Sequence, residues 1–206
     1  MKVVNMIKLS SILISLLLLT TTSPAYSKNN DTPHISKKCS RYFSYFENKY
    51  KIPTKLLHSV SLIESGRWNK NTKQLLPWPW AVNKSGKSYF FKTKKEAVDS
   101  VKKMIDEGNS NIDIGCMQIN LKYHNQAFKN LNHVFEPRHN IEYAATLLKK
   151  HYKRYTNWKN AVAAYHSASS LGDTYSRKVI ALWQKQYALH NKEKIMWFIL
   201  TMKNKI

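Results

Sequence analysis

Acidic residues are scarce in this chain of 206 residues. Twelve Asp and Glu stand against 34 Lys and Arg, so the formal net charge is +22. An excess of this size indicates a polyanionic partner or surface. Only five of the basic residues are arginine, whose planar fork suits phosphate, and no nucleic-acid recognition module is visible. We therefore expect a basic surface drawn to an anionic envelope, and no nucleic-acid partner.

Cysteine is rarer still, which limits the kinds of site the chain can build. It has two, Cys39 and Cys116, and its histidines are scattered, so no zinc-binding spacing is present. We expect neither a metal nor a cofactor. In an oxidising compartment an even pair indicates one disulfide, and two separately buried thiols are the alternative. A bridge would close a loop of about 77 residues, worth on the order of 4 kcal/mol.

Long hydrophobic runs are missing, and the two short ones lie near the ends of the chain. Residues 9–19 are apolar and follow a start that contains Lys2 and Lys8, while residues 25–27 are suited to cleavage. This is the layout of a secretory signal peptide over residues 1–27, with an uncleaved anchor as the alternative. We therefore expect a periplasmic protein.

The second short run, residues 195–200, belongs to a tail over residues 188–206. Six apolar residues are too few to span a bilayer. We expect this run to pack against the domain. Binding a partner or touching the membrane surface are the alternatives.

Apolar spacing predicts helices around one small sheet. After a flexible lead over residues 28–38, the pattern predicts helices over residues 39–50, 53–65, 93–107, 140–153, 158–165 and 174–187. Turn residues 83–86 lie between aromatic, β-prone runs and predict a β-hairpin. No internal repeat or linker divides the chain. We expect one mainly helical α+β domain over residues 39–187.

Glu64 lies at the end of one of these helices. Pro53 suits the first turn of this helix and Gly66 suits its C-terminal cap. At about 100° per residue, Glu64 falls beside the buried stripe and at the rim of a core. Partial burial would raise the pKa of its carboxyl, as a general acid requires. A solvated glutamate at a helix end is the alternative.

Three separated segments resemble the motifs of the lytic transglycosylase SLT domain family. Glu64-Ser65 corresponds to the family's Glu-Ser pair, residues 115–118 (Gly-Cys-Met-Gln) to its Gly-Leu-Met-Gln motif, and residues 164–166 (Ala-Tyr-His) to its Ala-Tyr-Asn motif. Their order is that of the family, and the resemblance covers about residues 39–187. It implies a lysozyme-like fold. Residues 113–120 look closest to small single-domain members that accompany secretion systems.

The resemblance implies an enzyme that cleaves peptidoglycan strands without water. Glu64 would protonate the β-1,4 glycosidic oxygen between N-acetylmuramic acid and N-acetylglucosamine. It would then take the proton from the muramyl C6 hydroxyl, and a 1,6-anhydromuramyl end would form. The substrate's own acetamido group would replace a second carboxylate. A muramidase that uses water and a noncatalytic peptidoglycan-binding assembly protein are the alternatives. We expect a monomer that serves an envelope-spanning secretion machine.

The same motifs imply roles for the neighbours of Glu64. Ser65 would position the substrate, and Met117 and Gln118 would line the saccharide groove. Tyr165 would lie over the acid and hydrogen-bond its carboxyl. Ordinary core packing is the alternative for Met117, and a structural loop role is the alternative for Gln118.

Several positions depart from the family pattern or have uncertain roles. Cys116 replaces the usual Leu, and His166 replaces Asn and adds a pH-dependent charge, with a capping or surface role as its alternative. Asp113 is a rival second catalytic acid, against a turn or capping role. Stacking on sugar faces and core packing are both open for three aromatic side chains near the hairpin, Trp78, Trp80 and Tyr89. Arg67 would pair with a stem-peptide carboxylate, with solvation as its alternative.

Overall fold

The computed structural model describes residues 31–167 and 169–203. The predicted signal peptide, residues 1–27, lies outside the described residues. Within the described part, the order is α1 Asp31–Tyr50, α2 Leu56–Ser65, β1 Gly66–Asn69, β2 Gln74–Pro77, β3 Ala81–Lys84, β4 Lys87–Phe90, α3 Lys94–Asp106, β5 Ile112–Ile114, β6 Ile119–Asn120, α4 Leu121–His124, a 3-10 turn Asn125–Ala127, α5 Leu131–Val134, α6 Pro137–Tyr155, α7 Trp158–His166 and α8 Ser170–Lys203. The predicted mainly helical α+β class is confirmed.

The sheet contains the predicted hairpin and extends beyond it. β3 and β4 pair antiparallel, with Ala81 opposite Phe90. β5 pairs with β3 and β6 with β5, which gives the order β4-β3-β5-β6. β5 and β6 were not predicted, because strands of two or three residues are too short to show alternation. A second hairpin, β1 with β2, was also missed, since neither strand alternates between buried and exposed positions.

The buried side chains form two hydrophobic cores. The larger core joins α1, α2, α6, α7 and α8, and its fully buried members include Phe46, Leu56, Val60, Ile141 and Leu148. The smaller core lies beneath the sheet and includes Trp78, Val82, Val101, Ile112 and Phe135. Cys39 of α1 and Cys116, the pair predicted to form a disulfide, are bridged. The bridge ties the N-terminal helix to the loop between β5 and β6.

Both ends of the described chain correct the sequence prediction. The flexible lead was predicted to reach residue 38, but α1 begins at Asp31, because Ile35 is buried in the smaller core. The last helix was predicted to stop at residue 187, but α8 continues to Lys203. Nothing from residue 173 onward is glycine or proline, so no residue there breaks the helix.

The apolar run at residues 195–200 does not pack against the domain, contrary to prediction. All six side chains are exposed, from 44% for Ile199 to 68% for Trp197. They extend along α8 past the last core contacts. No helix in the described part of the chain is long and apolar enough to cross a membrane.

The start of α2 is fixed by a carboxylate from another helix. Lys55, just before the helix, has a left-handed backbone with φ 70° and provides no side-chain cap. Glu47 of α1, which is 2% exposed, accepts hydrogen bonds from the backbone N–H of Lys55 at 2.9 Å and of Leu57 at 3.0 Å. These are N–H groups that a helix start leaves without intrahelical partners. Glu47 therefore sets the direction in which α2 carries Glu64.

The end of α2 runs directly into β1. Gly66 stands at the predicted C-terminal cap position, with φ −64° and an extended backbone. A Cβ at this position would lie 2.1 Å from the Leu62 carbonyl oxygen and 2.7 Å from the Leu75 side chain. Glycine is therefore required for close approach of the β1–β2 hairpin to the helix end, immediately after Glu64-Ser65.

We expect Glu47→Ala to lower the free energy of unfolding by about 2–3 kcal/mol, because it leaves buried N–H groups at the start of α2 unpaired. Urea denaturation checks this. The matched control is Glu142→Ala, which removes the partly exposed ion pair with Lys49. That loss should be below about 1 kcal/mol. Equal losses in the two variants would contradict the capping role of Glu47.

Candidate active site

A pocket of about 400 Å³ opens beside the end of α2. It brings together four of the predicted site residues, Glu64, Gln118, Tyr165 and His166, and also the rival acid Asp113. The remaining lining comes from β6, α4 and α6, namely Ile119, Asn120, Tyr123, His124 and Leu147. Within the described residues, no three His, Cys, Asp or Glu side chains cluster as metal ligands. The pocket is lined by one partly buried glutamate, a second acid, two amides, two tyrosines, two histidines and two aliphatic side chains.

The partner of Glu64 is Tyr175 and not the predicted Tyr165. The Tyr175 hydroxyl donates to Glu64 Oε1 at 2.5 Å. The Tyr165 hydroxyl instead donates to the Met117 carbonyl at 2.8 Å. Tyr175 lies on α8 and is 7% exposed, one turn before the fully buried Val179. It was missed because it belongs to no quoted motif, although its place on the inward face of a predicted helix was a usable signal.

Burial dominates the acid–base chemistry of Glu64. Withdrawal from water raises the pKa of its carboxyl from 4.5 to about 8, the hydrogen bond from Tyr175 opposes this rise, and the charge of Asp113 adds to it. Burial also raises the pKa of Tyr175 and of Tyr165 well above 10. At neutral pH, Glu64 therefore holds a proton that it can donate, and both phenols remain hydrogen-bond donors.

Asp113 faces the same pocket from β5. Asn120 Nδ2 donates to Asp113 Oδ1 at 2.8 Å. Burial raises the pKa of Asp113, while the Asn120 hydrogen bond and the nearby His166 lower it. Asp113 thus has a structural partner in Asn120 and also lines the pocket.

His166 stacks on the tyrosine that holds Glu64. Its ring lies parallel to that of Tyr175, with centroids 4.3 Å apart and an interplanar angle of 6°. Burial lowers the pKa of His166 and the carboxylate of Asp113 raises it. The side chain is exposed at the pocket rim, where a substrate can reach it.

Ser65 and Met117, which were predicted to contact saccharide, are buried and do not line the pocket. Ser65 is 1% exposed, and Met117 is fully buried. The Ser65 hydroxyl donates to the Cys116 carbonyl at 2.7 Å and accepts from the Trp78 N–H at 3.2 Å. Ser61 donates to the same carbonyl at 2.7 Å. Ser61 and Ser65 thereby hold the loop at residues 115–118, the motif loop, in place. The predicted substrate contact is therefore corrected to a positioning role for Ser65 and to core packing for Met117.

Asn140 is a buried anchor of the motif loop that sequence reasoning missed. Its Oδ1 accepts from the Met117 N–H and its Nδ2 donates to the Ile114 carbonyl, both at 2.9 Å. Gly115 has φ 83°, and a Cβ there would lie 2.6 Å from Asn140 Nδ2. Glycine is therefore required twice, by conformation and by space. The signal was an asparagine next to Ile141 on the buried face of α6.

Gln118 bonds the loop backbone and also lines the pocket. Its side-chain Nε2 donates to the carbonyls of Gly115 at 3.0 Å and Ala81 at 3.2 Å, which closes the loop against β3. Its backbone is left-handed, with φ 47°. The same side chain also lines the pocket beside Glu64.

The hairpin-region side chains do not reach this pocket. Trp78 is 1% exposed, with its Nε1 donating to the Phe91 carbonyl at 2.7 Å, and Trp80 is 8% exposed. The proposed sugar stacking is therefore corrected to core packing for both. Tyr89 is half-buried against Phe91. Arg67 is exposed and lies over the Trp78 ring at 4.8 Å.

We expect Glu64→Gln to stabilise the protein, increasingly so as pH rises from about 5 to 8. The folded state holds the Glu64 proton more tightly than the unfolded chain, so the wild type loses stability as pH rises from about 4.5 to about 8. The full loss is on the order of 4 kcal/mol, and Gln cannot incur it.

Urea denaturation at several pH values checks this difference between wild type and Glu64→Gln. Glu193→Gln, at an exposed position of α8, is the control for the substitution itself. Parallel stability curves for wild type and Glu64→Gln across this pH range would show that burial does not perturb Glu64.

Comparison with known proteins assigns the chain to a family. The family model described as Transglycosylase SLT domain matches residues 41–182. No curated protein and no solved structure matches the chain. The matched region includes Glu64, the motif loop at residues 115–118, and Tyr165 with His166. At family level it implies lytic-transglycosylase-type action on peptidoglycan. More than half of the chain is matched, and the chain therefore belongs to the transglycosylase SLT domain family.

Proposed function

We propose that the protein is a lytic transglycosylase that cleaves the β-1,4 bond between N-acetylmuramic acid and N-acetylglucosamine and leaves 1,6-anhydromuramyl ends. The observation that carries the proposal is the partly buried Glu64, whose pKa is raised to about 8 and whose carboxyl is held by Tyr175. A carboxylic acid that keeps its proton at neutral pH and opens to a pocket is suited to protonate a leaving-group oxygen.

One carboxyl can perform both proton transfers of this reaction. Glu64 donates its proton to the glycosidic oxygen as the bond from that oxygen to muramyl C1 breaks. The substrate's acetamido group stabilises the positive charge at C1. The C6 hydroxyl then attacks C1, and Glu64, now a carboxylate, accepts the hydroxyl proton. The acid is regenerated, and no water is consumed.

Tyr175 supports each state of Glu64 in this cycle. Its hydroxyl donates to the carboxyl and so stabilises the carboxylate that exists between the two proton transfers. The raised pKa of Tyr175 keeps its phenol neutral, and the His166 ring stacks on the Tyr175 ring. A hydrogen bond that strengthens as charge develops lowers the barrier of the step that creates the charge.

A hydrolase of the same fold is the second candidate, and Asp113 is the observation that favours it. Asp113 lines the pocket with Glu64. A second carboxyl in this position has the chemistry to activate water or to act as a nucleophile. We favour the transglycosylase because burial and the hydrogen bond from Asn120 give Asp113 a structural task, and because the motif order is that of the family.

We further propose that the protein works in the periplasm and opens the wall locally for an envelope-spanning secretion machine. The support is the signal-peptide layout of residues 1–27 and the form of the motif at residues 113–120. Fractionation of cells and co-purification with assembly components test this part separately from the chemistry.

We expect wild-type protein incubated with purified sacculi to release anhydromuropeptides, and Glu64→Gln to lower the rate by about 10²–10⁴-fold. Mass spectrometry of the soluble products checks both points. Asp113→Asn is the matched variant, because it changes the other pocket acid to its amide and should keep anhydro products. Reducing ends that are 18 Da heavier would identify a muramidase, and unchanged lysis by Glu64→Gln would exclude Glu64 as the acid.

We expect Tyr175→Phe to shift the alkaline limb of the pH–rate profile to higher pH. Loss of the hydrogen bond removes a contribution that lowers the pKa of Glu64, so the acid keeps its proton to higher pH, while the maximal rate falls about tenfold or more. Tyr165→Phe is the control, since its hydroxyl bonds the Met117 carbonyl. It should leave the alkaline limb in place. An identical shift in both variants would contradict the specific role of Tyr175.

A further inference from the structure

The far part of α8 presents a run of six exposed apolar residues, 195–200, that the catalytic chemistry does not use. We call these residues the apolar run. Each of the six side chains is at least 44% exposed, and Trp197 reaches 68%. Exposed contiguous apolar surface of this kind marks an interaction site.

The apolar run is apolar on every side of the helix. Six consecutive residues cover more than one and a half turns, so no polar face remains at this level of α8. A groove on a folded protein covers one face of a helix, whereas a lipid phase surrounds all of it. The run is about 9 Å long, and the interfacial layer of a bilayer buries apolar segments about 5–10 Å deep.

A second feature lies directly beside the apolar run on the same helix. A cavity of about 510 Å³ opens between the start of α2, the β1–β2 hairpin and α8. We call it the lysine-lined cavity, because Lys55, Lys73 and Lys185 stand on its walls. Its apolar lining is formed by five leucines and one tryptophan: Leu62, Leu75, Leu76, Leu182, Leu189 and Trp68. Glu193, less than one turn before the run, also lines it.

The charge of the lysine-lined cavity is available to a ligand. None of its three lysines takes part in an ion pair with any residue in the described part of the chain. His58 in the cavity is neutral at pH 7, because burial and Lys55 lower its pKa to about 4. Glu193 is the single acid of the lining, so the cavity is cationic. Lys192 and Lys194 on α8 add two exposed positive charges next to the run.

We propose that the apolar run and the lysine-lined cavity together form a membrane-docking element that takes anionic phospholipid. The ammonium groups of the cavity receive headgroup phosphates, and the apolar run enters the bilayer interface beside them. Lipid satisfies both features at once, because its phosphates match the lysines and its acyl region can surround a helix that is apolar on all sides. The net charge of +22 attracts the chain to the same surface.

Docking in this way gives α8 a mechanical role. Tyr175, which holds Glu64, and Ile195, where the apolar run begins, are twenty residues apart on one continuous helix. At 1.5 Å per residue the separation is about 30 Å. One continuous helix therefore connects Tyr175 in the site to the apolar run at the membrane.

Vesicle flotation of the full chain tests the apolar run. Wild-type protein should float at 0.1 M salt with vesicles of phosphatidylglycerol and phosphatidylethanolamine in equal parts. Trp197→Ser/Phe198→Ser should bind at least tenfold more weakly. Tyr45→Ser, a similarly exposed aromatic on α1, is the matched control and should bind as the wild type does. All three proteins share residues 1–27, so any contribution of that segment cancels. Equal flotation of wild type and the double variant would overturn the proposal.

Three lysine substitutions test the lysine-lined cavity. Lys55→Gln/Lys73→Gln/Lys185→Gln should bind these vesicles at least fivefold more weakly, and the three changes should have no effect on vesicles of phosphatidylcholine alone. Lys102→Gln/Lys103→Gln/Lys159→Gln removes the same charge from exposed positions elsewhere. Equal losses in the two triple variants would show that net charge alone acts and would overturn the role of the cavity.

The other possible occupants of the apolar run give different results. Light scattering after gel filtration would show a second copy of the chain as a dimer that Trp197→Ser/Phe198→Ser dissolves. Such a dimer without flotation would overturn the proposal. Wild-type protein that floats with neither the anionic nor the phosphatidylcholine vesicles would also overturn it and would indicate a protein partner for the run. Thermal melting within about 2 °C of the wild type confirms that each variant is folded.

Discussion

The hydrogen bond from Tyr175 to Glu64 is the interaction on which the site depends. It joins α8 to the end of α2, and it holds a carboxyl that burial keeps protonated at neutral pH. Each side chain is fixed independently of the other. Glu47 sets the start of α2, and core packing of Tyr175 and Val179 sets the rotation of α8. Glu64 is therefore positioned by contacts from α1 and α8. Because burial raises its pKa, the folded protein loses stability as pH rises.

The motif loop between β5 and β6 is the second fixed part of the site. It is bridged to α1 by the disulfide and bonded to α2 through Ser61 and Ser65, and to α6 through Asn140. Tyr165 adds a bond from α7. Ser65, Gln118 and Tyr165, which the motifs implied as parts of the substrate site, thus hydrogen-bond the backbone of this loop. A loop held from four directions presents Gln118 and the pocket floor with little freedom to rearrange, which is what preorganised catalysis requires.

Helices with clear periodicity and turn signals could be predicted from sequence, because those signals are local. α3, with Thr93 as its cap, and the β3–β4 hairpin are examples. The location of Glu64 at a helix end also followed from local pattern. Tyr175, Asn140 and Glu47 could not be assigned in this way, because each acts on a segment outside its own helix. The exposed end of α8 was mispredicted because an apolar run indicates burial unless something outside the chain covers it.

The central claim is that Glu64 is a protonated acid at neutral pH, and its titration tests this most directly. Carbon-13 NMR of the glutamate carboxyl groups, with Glu64→Gln to assign the signal, gives the pKa of Glu64 in the folded protein. The structure predicts a midpoint near 8. A midpoint near 4.5, the ordinary value for glutamate, would mean that Glu64 is ionised at neutral pH and would contradict the account of the site.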